Sequence, residues 1–197
     1  MPDPLSKAHR RAQLAIRAAA VRDVLRLFPA YDLRRISETW PPLERALLLV
    51  IEKYGRLSAG VAYAYYREAR RAAGIPGAAP PMRATPTTAE KVAGLRSQAI
   101  RNAARQLGLG RDLAEVRAAT LVNVTGVVSK YALDHGRDVI MNAVRADKSA
   151  RGWMRDAGGG ACDFCSMLES RGAVYKTEES ASFESHRHCG CSAVPAW

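Results

Sequence analysis

The chain has 197 residues, 48% of them hydrophobic and 25% charged, which provides for the packed core of one or two small domains and excludes wholesale disorder. Only 7% are aromatic while Ala, Leu and Arg abound, a mixture that favours helices over a β-sandwich. The formal net charge of +11 is unevenly spread: residues 1–75 carry +7, residues 76–157 carry +6 and residues 158–197 carry −2, so a basic body suited to nucleic acid or an acidic protein surface precedes a tail that is not basic.

The start, MPDPLSKAHRR, is polar and lacks the apolar run of a secretory signal. Residues 5–28 have Leu14, Ile16, Val21, Val24 and Leu25 at helical spacing, with arginines between them, and predict an amphipathic helix that ends near Pro29. A second, long helix is expected over 42–73. Pro41 and Pro42 suit its first turn, Leu43, Leu47, Val50, Tyr54, Leu57, Val61 and Tyr65 form its stripe, and Gly55 and Gly60 allow a bend. Tyr63, Tyr65 and Tyr66 read as packing residues of this helix. Residues 74–87 hold four prolines and two glycines and read as a linker or extended loop. Thr87 and Glu90 have capping-box spacing and start a helix over 88–107, closed by Gly108 and Gly110. Residues 111–150 read as mainly helical, since the stripe Leu113, Val116, Thr120, Val124, Val127 and Tyr131 runs through the β-branched stretch TLVNVTGVVS. No apolar run approaches the length of a membrane span, so synthesis in the cytosol without membrane insertion is expected. His9 and His135 read as lone surface histidines on these helices.

Gly158, Gly159 and Gly160 read as a flexible joint, beyond which composition and charge change. The organisation expected is an N-terminal helical segment (1–75), a Pro/Gly-rich linker (76–87), a second helical segment (88–157) and a C-terminal module (158–197). The fold class is mainly α, a long-helix body followed by a small α+β module that binds zinc.

All four cysteines fall within residues 162–197. In a reducing compartment, clustered cysteines mean metal more often than disulfide. Cys162 and Cys165 form a C-x2-C pair able to chelate one ion from a tight turn. His186, Cys189 and Cys191 form the returning cluster, with His188 inside it as an exposed or supporting residue. With His188 counted, six candidate ligands thus serve about four tetrahedral positions. Cys162, Cys165 and His186 rank first, and Cys189 or Cys191 completes the set. Four protein ligands close the coordination sphere and make a structural site, with Zn2+ as the expected ion. Phe164, Leu168, Val174, Tyr175, Phe183, Val194 and Trp197 would build a small core around it, with short strands at 173–175 and 192–194. A zinc deaminase is excluded, because no H-x-E occurs and C-x-x-C precedes the histidines. Nucleophile and zincin motifs are absent as well. A serine protease would have to draw on Ser182 or Ser185, a histidine and Asp163, all close to the zinc cluster.

The pattern Cys162-x2-Cys165, then Gly172 and Tyr175, then Phe183-x2-His186-x2-Cys189-x-Cys191 with Pro195 close behind, resembles the C-terminal part of phage minor head proteins of the MuF type, the head-morphogenesis family. Its actinobacteriophage members are often labelled capsid maturation protease. The resemblance implies a minor virion protein bound to the portal inside the phage head, made in the host bacterial cytoplasm, that aids head assembly and genome packaging or delivery. It implies portal and capsid proteins as partners, several copies on an oligomeric partner, and packaged DNA within reach of the basic helices. It supplies no catalytic residue. A capsid maturation protease and a DNA-binding zinc protein are the alternatives.

Overall fold

The computed structural model describes residues 3–87, 89–158, 161–173, 183 and 185–197. The fold is mainly helical with two short strands: α1 (Pro4–Leu27), α2 (Ile36–Ala72), α3 (Ala89–Gly108), α4 (Leu113–Ala146), β1 (Gly152–Asp156), α5 (Asp163–Ser170) and β2 (Ser192–Ala196). Asp3 caps α1, its carboxylate accepting from the Leu5 and Ser6 amides, with Pro4 in the first turn where no N–H is needed. Asp112 caps α4 through the Glu115 amide. Gly74 and Gly110, at φ of 71° and 76°, take the left-handed backbone that ends α2 and α3.

Helix α2 starts at Ile36, six residues before the expected start, and Pro41 and Pro42 lie inside it. The prolines forgo two bonds near the helix end, and the burial of Trp40 and Leu43 in the core offsets that loss. Helix α4 runs without interruption through TLVNVTGVVS, as the apolar stripe requires.

Helices α1 and α2 are antiparallel: Asp23 accepts from the Tyr54 hydroxyl, Gln13 pairs with Ser58, and Ser6 meets Tyr65. Helix α4 runs parallel to α2. Gly55 faces His135, Gly136 faces Ser58, and Asp147 accepts from Tyr66 and Arg70. Helix α3 packs on α4 and α2. One core cluster, with Phe28, Trp40, Leu47, Ile51, Val92 and Val124, fills the end of the bundle near the α1–α2 turn. The other joins Tyr65, Tyr66, Val139 and Ile140 of the helices to Trp153, Cys165, Phe183, Cys189 and Cys191, so apolar packing runs from the helices into the C-terminal residues.

Residues 74–87 lie extended along the bundle and are pinned to it. Arg70 donates to the carbonyls of Ile75, Pro76 and Gly77, Tyr63 to that of Pro80, and Asn142 to that of Arg83. Thr87, expected to cap the next helix, bonds the His135 ring at 2.9 Å, and α3 begins two residues later at Ala89. The three tyrosines pack as expected, Tyr65 and Tyr66 being buried.

Both histidines expected at the surface are buried, His9 at 5% and His135 at 7% exposure. The stripe of each helix is wider than its apolar letters, and small polar groups fill the α1–α2–α4 seam. His9 stacks on Tyr65 at 4.3 Å, and burial lowers its pKa to about 4. Its unfolded value is about 6.5, so the unfolded chain binds the extra proton first as pH falls. Stability should therefore drop by up to ~3 kcal/mol between about pH 6.5 and 4. Asp134 and Asp147 act lower on the scale. Burial raises both, but Arg137 and Lys130 for Asp134, and Arg70 with the Ser149 amide and Tyr66 for Asp147, outweigh it and hold both below the usual carboxylate range. Their contribution is present above about pH 4 and is lost as pH falls further. Thermal melts from pH 7 to 3 check this, and His9→Phe should remove the upper part of the decline and leave the lower.

The glycines of α2 and α4 make opposite predictions. A Cβ on Gly136 would collide with the Ser58 hydroxyl and lie 2.9 Å from its carbonyl oxygen, whereas one on Gly60 meets nothing within 4 Å. Gly136→Ala should cost about 1–3 kcal/mol. Gly60→Ala should stabilise by roughly 0.5–1 kcal/mol. Urea unfolding of the two variants reads both.

Candidate metal centre

The sequence places thiols and imidazoles at two ends of a stretch of about thirty residues, and the fold brings the ends together. Cys162 is the N-cap of α5, and Cys165 lies in its first turn. The C-x2-C chelate is thus built on a helix start instead of an isolated turn. The Cys165 amide points at the Cys162 sulfur and lowers that thiol's pKa, while burial raises that of Cys165. Aligned backbone amides at a helix start favour thiolate over thiol.

His186 closes on this pair, its Nε2 3.2 Å from Cys162 Sγ and 3.4 Å from Cys165 Sγ. Its Nδ1 lies 2.7 Å from the Arg187 carbonyl. The carbonyl can only accept, so Nδ1 carries the hydrogen and Nε2 presents its lone pair to the sulfurs, the tautomer a metal ligand needs. Cys165 also belongs to a second group with Cys189 and Cys191. Within each group the ligating atoms lie within 4.8 Å of one another. Cys189 and Cys191 are neighbours, and the bond from Cys191 lowers the Cys189 pKa to about 4 while pushing up that of Cys191. All four cysteines are free thiols.

Groups outside the cluster hold the returning chain. Arg137 of α4, 3% exposed, donates to the carbonyls of Cys189 (3.0 Å) and Cys191 (2.9 and 3.1 Å) and to Asp134 (2.7 Å). Ser185 donates to the same Asp134 at 2.8 Å. Phe183 lies between the guanidinium groups of Arg137 and Arg155, at 4.8 and 3.8 Å, and stacks on Trp153. Gly190 lets the knuckle approach α1, where a Cβ would stand 3.0 Å from Leu14 Cδ2. β2 begins at once after Cys191 and pairs antiparallel with β1, Asp156 opposite Ser192 and Gly152 opposite Ala196.

The structure thus gathers Cys162, Cys165, His186, Cys189 and Cys191, the five residues singled out by spacing. His188 turns away. It has φ of 62°, and its Nε2 lies 3.1 Å from the Val122 carbonyl of α4. Phe164 is 46% exposed and takes no part in the core, because it faces outward on α5. The expected strand at 192–194 is present and longer, while Val174 and Tyr175 of the other expected strand, Ser182, and Gly159 and Gly160 of the joint lie outside the described residues. Sequence reasoning missed Arg137 and Asp134, an i, i+3 pair that looks like an ordinary solvated helix pair.

A soft cation in a tetrahedral site needs sulfurs about 2.3 Å and nitrogens about 2.0–2.1 Å from the metal, hence donor atoms under 4 Å apart. His186 Nε2 stands at such distances from the Cys162 and Cys165 sulfurs, and the donors of each group lie within 4.8 Å of one another. A helical protein with two short strands whose C-terminal residues form a Cys/His cluster able to hold a metal ion is the class that fold and site define. The family model described as VG15 protein matches residues 3–197, and the chain belongs to this viral protein family. No curated protein and no solved structure matches it. Among the described residues no helix is long and apolar enough to cross a membrane.

Proposed function

We propose that the chain is a minor head protein of a phage, of the MuF type, which docks on the portal inside the head and aids head assembly and genome packaging or delivery. The observation that carries this reading is the meeting of two donor groups at Cys165, one with Cys162 and His186 and the other with Cys189 and Cys191, in the spacing that resembles those proteins, within a viral protein family. The ion is Zn2+, held by Cys162, Cys165, His186 and one of Cys189 and Cys191. Its role is structural: bound there, it supplies folding free energy to the C-terminal residues.

The body supplies the contacts. Arg11, Arg22, Arg45, Arg56, Arg67 and Arg71 of α1 and α2 are exposed, and with a net charge of +11 they favour a polyanion such as packaged DNA. Replacing Arg22, Arg45 and Arg56 together by alanine should weaken DNA binding and lower its salt dependence by a slope of about 2–3, about 0.9 per lost phosphate contact.

The protease alternative has less support. The Ser185 hydroxyl is bound by the Asp134 carboxylate, the His186 Nε2 faces the sulfurs, and the His188 Nε2 faces Val122, so none of these imidazoles serves Ser185 as a base. The test is affinity purification of a tagged chain from infected cells. Recovery with portal protein, and presence in purified virions at a few copies, support the proposal. A chain that never enters virions, or capsid processing lost in Ser185→Ala with metal content intact, contradicts it.

A further inference from the structure

Away from the cysteines, the first turn of α1, one face of the β1–β2 ladder and α5 enclose a cavity of about 340 Å³, open to solvent. Asp3, Asp156 and Glu169 line it, with Met154 and Val194 as an apolar wall. The placement follows from the ladder. Side chains two apart on a strand share a face, so Met154 and Asp156 point the same way, and Val194 is the cross-strand partner of Met154.

Asp156 is only 3% exposed, yet neither of its oxygens has a hydrogen-bond partner. Arg10 Nε stands 3.6 Å from it, an ion pair too long for a hydrogen bond. Arg155 also borders the cavity, but its guanidinium is spent on the Phe183 ring at 3.8 Å and on Cys165 Sγ at 3.9 Å. Burial, and after it the charges of Glu169 and Asp3, push the Asp156 pKa up against the pull of Arg10 and of the nearby Gly158 amide. A buried carboxylate met only by one long ion pair and a poorly aligned amide, with two more carboxylates near it, leaves a demand for positive charge on a chain that is otherwise strongly basic.

We infer that this cavity binds an alkyl cation, an ammonium or guanidinium carried on an aliphatic stem. The stem lies along Met154 and Val194, and the head reaches Asp156 and Glu169. A bare metal ion fits less well: among the described residues, the donor groups close enough to share an ion are the two cysteine-containing ones. The cation comes either from a basic side chain of a partner protein or from a free alkylamine, and the chemistry of recognition is the same.

The test uses the full metal-loaded chain labelled with 13C at its five methionine methyls, Met154 being assigned through Met154→Leu. The probes are Nα-acetyl-lysine methylamide, Nα-acetyl-arginine methylamide and cadaverine, with Nα-acetyl-norleucine methylamide as the uncharged control. The Met154 resonance should move saturably with the cations and not with the control. Asp156→Asn and, should that variant fold poorly, the more exposed Glu169→Gln should each raise the dissociation constant roughly tenfold. Tighter binding of the blocked amino acids than of cadaverine assigns the site to a partner's side chain, and the reverse assigns it to a free amine. The inference is overturned by the absence of a saturable shift, by an equal shift with norleucine, or by unchanged binding in the folded variants.

Discussion

Cys165→Ala is expected to empty the metal centre and to loosen the molecule well beyond residues 158–197. Cys165 is the one residue common to both donor groups, and it is 1% exposed, so no water replaces it at low cost. Loss of a supporting group behind a ligand weakens metal sites about 10- to 100-fold, and loss of the shared ligand itself should exceed that. The same side chain packs in the cluster that contains Tyr65, Tyr66, Val139 and Ile140. Disorder of the knuckle therefore reaches the ends of α2 and α4, while the cluster around Trp40, Leu47 and Ile51 persists. Metal analysis should find almost no ion in the variant. Circular dichroism should show most helix retained with a lower, broader melt, and a strong chelator added to the native chain should reproduce that melt. Full metal content in Cys165→Ala would remove it from the ligand set. Cys189→Ser and Cys191→Ser compared side by side should differ, the true fourth ligand losing metal and the other keeping it.

Arg137→Leu should have the second-largest effect. One buried guanidinium satisfies the carbonyls of Cys189 and Cys191, pairs with Asp134 and covers the Phe183 ring. Leucine fills part of the space but leaves two buried carbonyls unsatisfied and leaves Asp134 to Lys130 and the Ser185 hydroxyl. Breaking a buried pair of this kind costs about 3–5 kcal/mol. The knuckle carbonyls set the direction of the Cys189 and Cys191 side chains, so metal affinity should fall as well, about 10- to 100-fold. Urea unfolding with and without chelator separates the two effects. A variant that loses stability equally in both conditions, with unchanged affinity, would make Arg137 a packing residue only. Arg137→Lys keeps the charge but has no planar fork to span two carbonyls, and should recover stability more than affinity.

The helices were legible because each writes a stripe at three- and four-residue spacing, and α4 kept its stripe through Thr120, Val124 and Val127 in spite of their β-branches. The Cys/His cluster was legible for a different reason: thiols and imidazoles are scarce in the chain, and their close spacing carries meaning without any fold. The early start of α2 was hidden, since Pro41 and Pro42 are local stop signals that the burial of Trp40 and Leu43 overrides. β1 was hidden too. Gly152–Asp156 is five residues long and pairs with a strand nearly forty positions away, with no turn between them to announce it. Arg137 and Asp134 could not be told from a solvated pair, because the carbonyls that Arg137 donates to and the hydroxyl that Asp134 accepts from belong to residues more than fifty positions later. His9 and His135 illustrate the same limit, as burial belongs to the seam between helices and not to the letters around them.

One ion is expected to bind per chain through sulfur and imidazole. Cobalt substitution tests it most directly, since Co2+ in a tetrahedral thiolate site has strong visible and sulfur-to-metal absorption. Titration of the reduced apo chain should saturate at one equivalent with a tetrahedral spectrum, be displaced by Zn2+, and fail in Cys165→Ala. A chain that takes up no cobalt, or gives the weak spectrum of an octahedral oxygen site, does not hold an ion through these thiols and imidazole.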